Sequence, residues 1–364
     1  MTDKFDWLFQ SRAIGSKVAP NIMVLHPLER GDGTPEGKPT ESSFEWYRQL
    51  AAGQWGVLFV ECTTCSDDPA DRGHMPNGLL MTERNLPEFQ RMVREIKEIS
   101  PETVLLIQLC TGEPGNDYVG NERFMNLPAA TIARAQADMV KGSLLAAEAG
   151  FDGIDFKLCH GHMTYQLLSE ANTRSDEWGG KTLKDRARFV IEAVQEIREK
   201  LAPTKKDNFI IGARVSEPSL ANLRDIVEVL DKDLYMDFIS ISYSPDVFSA
   251  DVISLLCQAV KMMEPKAAVM QAAFTACLAR KGDPIEKMKQ ALNSKLAPEF
   301  VGFGRQAIAD PMTLVKLREG RIDEIDWCKR CNTCFRQKHC KHYGPEGEVE
   351  MIERPPPGQS ILDR

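Results

Sequence analysis

Apolar runs and helical patterns alternate along this chain, strand then helix, eight times over. Few architectures accept that order. Each buried parallel strand needs a crossover helix, and eight such units either close into a barrel or lie in a doubly wound sheet. The runs expected as strands are 22–25, 56–61, 103–109, 153–157, 208–215, 237–243, 267–271 and 300–304. The expected helices are 42–52, 86–99, 135–149 (stopped by Gly150), 183–201, 220–230, 252–263, 284–292 and a short one after Asp310. No Gly-rich dinucleotide turn follows any strand, which favours an α/β fold of the TIM (β/α)8 barrel type over residues 1–320. Residues 321–364 then read as a short Cys-rich extension ending in a Pro-rich stretch.

Composition narrows the class further. The chain has 364 residues and 10 cysteines. A domain of this size buries a sizeable core without cross-links, so the cysteines are not needed as staples. Four of them lie between Cys328 and Cys340, a local cluster and not a disulfide framework. The formal charge of −8 argues against a nucleic-acid surface. No apolar run approaches the roughly 20 residues of a membrane helix. The charged N-terminus lacks a signal-peptide core, so the expected setting is cytoplasmic with reduced thiols.

In such barrels the chemistry lies where the strands end. The loops 110–132 and 159–182 are long enough to be functional. The fourth strand exits into Lys157-Leu-Cys-His160-Gly-His162, a set of donors and titratable groups able to polarise a carbonyl and deliver a proton near neutral pH. His-x-His without a third well-spaced ligand is a weak metal site. Gln108, at the end of the third strand, can make paired hydrogen bonds to a planar ring such as a flavin or pterin. Arg214, at the end of the fifth, is costly in a barrel mouth unless it faces an anion. Gly304 and Arg305 after the eighth suit a phosphate. Each of these also has a bland reading as a solvated loop group, a satisfied core amide or a structural ion pair.

Together these residues resemble the old yellow enzyme family of FMN-dependent ene-reductases. The likeness is carried by Ala149-Gly-Phe-Asp-Gly-Ile-Asp155, Gln166-Leu-Leu-Ser169, Asn172-Thr-Arg174-Ser-Asp176-Glu-Trp-Gly-Gly180 and Arg186-Ala-Arg-Phe189. It extends to Pro27, Gln108, Arg214-Val-Ser216, Gly302-Phe-Gly-Arg305 and Ala309-Asp-Pro311. The resemblance implies FMN at the barrel mouth and hydride transfer from reduced FMN to an activated C=C bond. Gln108 would meet the pyrimidine edge and Arg214 the N1/O2 side. Gly304 and Arg305, with backbone near Gln271, would hold the phosphate. Pro27, Leu28, Glu29 and Cys62 would line the ring.

The chain departs from the family pattern where substrate is handled. The carbonyl-binding pair, His with His or Asn in the family, is here Lys157 and His160. The proton donor, commonly Tyr, is here His162, and Glu29 stands where Thr or Cys contacts the flavin. A small carboxylate-bearing substrate suits Lys157 and Arg30, although Glu29 and Asp32 can neutralise them.

The tail spacing Cys328-x2-Cys331-x2-Cys334-x5-Cys340 suits a four-thiolate site, either a [4Fe–4S] cluster or zinc, with His339 and His342 as further zinc ligands. It resembles the 2,4-dienoyl-CoA reductase and trimethylamine dehydrogenase-like branch of the family, which carries an iron–sulfur cluster after the barrel. That branch has one more residue between its second and third cysteines and a longer gap to the fourth. It continues into a nucleotide-binding domain, which this chain is expected to lack. Electrons would then come from NAD(P)H directly or from an electron-transfer flavoprotein partner. Two other readings stand beside the ene-reductase. One is an amine dehydrogenase or demethylase with Trp46, Trp178 and Tyr165 as an aromatic cage; the other is a flavin-free zinc-binding interaction subunit. The sequence does not set the oligomeric state, and a homo-oligomer is compatible with it.

Overall fold

The computed structural model of the chain describes residues 5–68, 71, 77–112, 121–204, 208–217, 219–242, 250–272, 292–329, 334 and 340. Ten strands are present among them. Strands β1 (Arg12–Ile14) and β2 (Lys17–Ala19) form an antiparallel hairpin. The other eight are β3 (Met23–Leu25), β4 (Val57–Cys65), β5 (Val104–Thr111), β6 (Gly153–Leu158), β7 (Ile210–Val215), β8 (Phe238–Ile241), β9 (Ala268–Gln271) and β10 (Phe300–Phe303). They are parallel and close into a barrel in sequence order, with β10 pairing β3. The TIM barrel expected from the alternation is the observed fold.

The surrounding helices follow from apolar periodicity. Helix α1 (Glu41–Ala52) starts at a Thr40–Ser43 capping box, which satisfies otherwise orphaned backbone N–H groups. Helix α2 (Leu86–Ile99) has its expected bounds and buries Phe89, Met92, Val93 and Ile96, one face at helical spacing. Helix α3 (Asn121–Met125) falls in the long loop after β5. Helix α4 (Ala129–Ala149) begins six residues before the expected start and ends at left-handed Gly150. The expected helix 183–201 is interrupted at Ala187. The remaining helices are α5 (Met163–Leu168), α6 (Leu183–Arg186), α7 (Arg188–Leu201), α8 (Leu220–Glu228), α9 (Ala250–Lys261), α10 (Arg305–Ala309) and α11 (Thr313–Arg318). The expected helix 284–292 lies outside the described residues, except for its last position.

Alternation sorts the strand residues. Val24, Val57, Phe59, Val104, Leu106, Ile210, Phe238, Ala268, Met270 and Phe300 form one buried cluster inside the barrel, joined by Ile14 and Ala19 of the hairpin. Their neighbours, among them Leu105, Ile107, Ile154, Phe156, Ile211 and Ile239, pack outward against the helices. The hairpin thus closes the N-terminal end. Lys17 pairs with Asp152 at 3.1 Å and Ser16 Oγ donates to the Asn208 carbonyl at 2.7 Å.

Higher up, the interior turns polar. His26 lies over Gly302 and stacks on Phe59 with ring centroids 5.7 Å apart. A Cβ on Gly302 would fall onto the His26 ring. Gly302→Ala is therefore expected to cost about 1–3 kcal/mol by overpacking, measured as a lowered denaturant midpoint with unchanged m.

Candidate active site

The inward positions at the C-terminal ends of the strands carry the candidate site. In register, Gln108 on β5 sits beside Asp155 on β6, and Lys157 on β6 sits beside Arg214 on β7, which in turn neighbours Ser240 on β8. All five are buried.

Gln108 Nε2 donates to Asp155 Oδ2 at 2.6 Å. The bond fixes the amide plane and leaves one N–H and the carbonyl oxygen for a planar partner. Burial raises Asp155 to about 7, against the opposing pull of Gln108, Arg214 and Lys157. Among the described residues Asp155 Oδ1, Arg214 Nε and Ser240 Oγ have no hydrogen-bond partner, and Arg214 makes no ion pair. A buried guanidinium in that state suits an anion, because desolvating a cation without a partner costs several kcal/mol.

The raised Asp155 has a measurable consequence. The native apoprotein holds this proton to about pH 7, whereas the unfolded chain releases it near its ordinary value. The stabilisation is therefore whole below the unfolded value and lost as pH rises to about 7, on the order of 4 kcal/mol. In Asp155→Asn, which can still accept from Gln108, the apoprotein is expected to lose less stability than wild type between about pH 4 and about pH 7. Urea unfolding at the two ends of that window checks it.

Lys157 and His160 are held on different sides of the mouth. Lys157 Nζ lies 2.7 Å from Glu29 Oε1 and donates to Cys62 Sγ at 3.2 Å, on the β3–β4 side. Burial alone would lower the ammonium, but Cys62 and Glu29 outweigh it and raise it well above its ordinary value. His160 has left-handed backbone (φ 62°), a conformation that costs a non-glycine residue on the order of 1 kcal/mol and marks a constrained position. Its N–H donates to Ser216 Oγ at 2.9 Å, and its ring Nε2 lies 3.2 Å from Ser242 Oγ, on the β7–β8 side. Burial, then the Arg214 and Lys157 charges, push His160 well below the usual histidine range, so the ring is neutral at pH 7. His162 is buried and caps the start of α5.

The β3 exit is built against β4 and α1. Glu61 Oε2 accepts the Arg30 N–H at 2.8 Å, and Arg30 Nε pairs with Asp32 at 2.9 Å. The Arg30 guanidinium lies over Trp46, 4.8 Å from the ring centroid. Burial raises Glu61 to about 8. Pro27, Leu28 and Glu29 are half-buried along this edge, as are Gly304 and Arg305 after β10, while Gln271 is buried at the end of β9.

Of the residues expected in an aromatic cage, Trp178 is engaged in the long β6 loop. Trp178 Nε1 donates to the Ala129 carbonyl at 3.1 Å and its ring packs on Phe189. Arg174 of the same loop donates to the Phe124 and Leu127 carbonyls, both at 2.7 Å, and pairs with Asp176. The Asn172–Gly180 segment thus ties the long β6 loop to α3 and α4.

At the tail, Cys328 N–H donates to Gln306 Oε1 at 2.9 Å, and Gln306 Nε2 donates to Thr313 Oγ1 at 2.9 Å. The first cysteine is therefore moored to the helix that follows Gly304. Cys334 and Cys340 are half-buried; Cys331, His339 and His342 lie outside the described residues. Among the described residues no group of three or more His, Cys, Asp and Glu is placed to hold a metal. Among them also, no helix is long and apolar enough to cross a membrane.

Asp155, Glu61 and Ser240 were missed in the sequence. Asp155 and Glu61 did leave a signal: each is the one acid in a largely apolar strand.

A closed parallel barrel whose polar mouth holds an unpaired guanidinium and an oriented amide defines a cofactor-dependent barrel enzyme. The chain belongs to the NADH:flavin oxidoreductase / NADH oxidase family, whose profile matches residues 112–324. It is 21% identical to the N,N-dimethylglycine/sarcosine dehydrogenase of Chromohalobacter salexigens over 92% of this chain and 51% of that one. Its fold matches a 2-naphthoyl-CoA reductase complex (TM-score 0.76, 18% identity, 90% of this chain and 54% of that one). It also matches an old yellow enzyme from a Pichia species (TM-score 0.69, 19% identity, 94% and 95%). The chain thus spans about half the length of the dehydrogenase and of the CoA-ester reductase.

The site fits a flavin. The orphaned Arg214 Nε suits the electron-rich edge of the ring, and Gln108 offers the donor and acceptor an imide edge needs.

Proposed function

We propose that the protein reduces an activated C=C bond of a small, carboxylate-bearing molecule, with electrons from NAD(P)H or a partner flavoprotein. The observation that carries this reading is Arg214: buried, unpaired and aligned with Gln108 and Lys157 on one inward face. Bound FMN supplies the hydride. Gln108 and Arg214 orient the ring, and Arg214 favours its reduced, more negative state. Gly304 and Arg305, with Gln271 backbone, hold the phosphate. Pro27, Leu28, Glu29 and Cys62 border the ring. Neutral His160 donates a hydrogen bond to the substrate carbonyl, Lys157 draws the substrate carboxylate, and His162 delivers the α-carbon proton.

In the same reading the barrel spans 1–320, and the extension from 321 carries a [4Fe–4S] cluster on Cys328, Cys331, Cys334 and Cys340, zinc being the alternative. The moored Cys328 supports a site close to the β10 exit. Iron, acid-labile sulfide and zinc content of anaerobically purified protein separates the two.

The Glu29–Lys157 pair favours a second reading. With the Lys157 charge cancelled by Glu29, little of it is left to draw a carboxylate, and the dehydrogenase relative is named for N-methylated amino acids. Anaerobic titration decides. The proposal expects the flavin band to bleach with NADH or NADPH and return on adding 2-enoic acids or enoyl esters. Bleaching by secondary or tertiary amines, with no return on adding alkenes, would establish the amine reading instead.

A further inference from the structure

The mouth contains two thiols to which the proposed reaction gives no chemical step. Between the Val60–Ile107 and Thr63–Leu109 pairs, β4 spends three residues against two of β5. This bulge turns Cys62 inward, onto the face that carries Cys110. Thr64 is the register partner of Cys110, and its hydroxyl lies 3.5 Å from Cys110 Sγ. Leu109 pairs with Phe156, so the next residues, Cys110 and Lys157, are also neighbours. Lys157 Nζ reaches Cys62 Sγ at 3.2 Å. Both sulfurs are buried and near enough to shift each other, Cys62 upward and Cys110 downward.

We infer that Cys62 and Cys110 form a reversible oxidation site, closing to a disulfide when a hydroperoxide enters the barrel mouth. The chemistry does not depend on the flavin. The neighbouring Cys62 thiol, the Lys157 charge and the Thr64 hydroxyl together favour the Cys110 thiolate. That sulfur attacks the peroxide O–O bond, giving a sulfenic acid and releasing an alcohol, or water from hydrogen peroxide itself. Cys62 then attacks the oxidised sulfur. The S–S bond forms, the S–O bond breaks, and hydroxide leaves as water with the Cys62 proton. Two thiols are oxidised and one peroxide is reduced. Closure takes Lys157's thiol partner away and ties the ends of β4 and β5 together.

Purified protein is treated anaerobically with hydrogen peroxide or tert-butyl hydroperoxide. It is then denatured in N-ethylmaleimide, digested and mapped by mass. The expected result is a linked Cys62–Cys110 peptide pair, lighter by two hydrogens and separated again by dithiothreitol. Cys159→Ser should keep the linkage. Cys62→Ser should instead leave a sulfenic acid on Cys110 that dimedone traps, and Lys157→Met should slow closure several-fold. If both thiols remain alkylatable at a peroxide dose that oxidises free glutathione, or if either is linked to a different cysteine, the assignment is overturned. Sulfinic acids at both positions without a linked peptide would overturn it as well.

Discussion

Arg214→Met should move two properties in opposite directions. FMN affinity should fall roughly 10- to 150-fold, the worth of a hydrogen bond to a charged group of about 1.5–3 kcal/mol. The apoprotein should be as stable as wild type or more so, because the change removes a buried guanidinium whose Nε has no partner and replaces it with an apolar side chain of similar length. Fluorescence titration of apoprotein with FMN reads the first, and urea unfolding reads the second. Arg214→Lys keeps the charge without the planar fork and should fall between. A loss of apoprotein stability in Arg214→Met would mean that Arg214 is a structural cation, and the argument for an anion at this position would fail.

The second large effect concerns the Lys157–Glu29 pair. Glu29→Gln leaves a buried ammonium facing a neutral amide and should cost about 1–3 kcal/mol, short of the full buried-pair value because Glu29 is partly exposed. Lys157→Met removes the cation altogether and should be close to neutral for stability, yet lower kcat/KM about 100-fold if Lys157 draws the substrate. The double variant should recover most of the stability lost in Glu29→Gln, a coupling that a double-mutant cycle measures directly. The sign with pH is fixed by the raised Lys157: the stabilisation is whole below the ordinary lysine value and lost only as pH climbs through the higher native one. The Glu29→Gln deficit attributable to Lys157 should therefore stay constant from about pH 6 to about pH 9.

The barrel was legible because each strand is a short apolar run and each crossover a helical pattern, two periods that do not mimic each other. The hairpin was not. Its strands are three residues long and turn on Gly15, and only Ile14 and Ala19 face inward, too little for any periodicity to register. Gln108, Lys157 and Arg214 stood out as polar residues closing apolar runs. The pairing of Lys157 with Glu29 did not, because partners 128 residues apart meet only through the closed sheet. The Asn172–Gly180 segment carried much of the resemblance. In the fold its residues bind backbone carbonyls and fasten a loop, so that motif speaks for architecture more than for substrate.

The hairpin at the barrel floor has a consequence for how the chain is made. Its residues leave the ribosome well before their partners: Ser16 must find the Asn208 carbonyl 192 residues later, and Gly15 sits against Asp237. The nascent hairpin therefore waits, unseated, until β7 and β8 have been synthesised, while the strand–helix units between them form from local contacts. Bulky N-terminal fusions should act on this last docking step: they should slow refolding and raise losses to aggregation during synthesis, with little effect on the chemistry at the far end of the barrel.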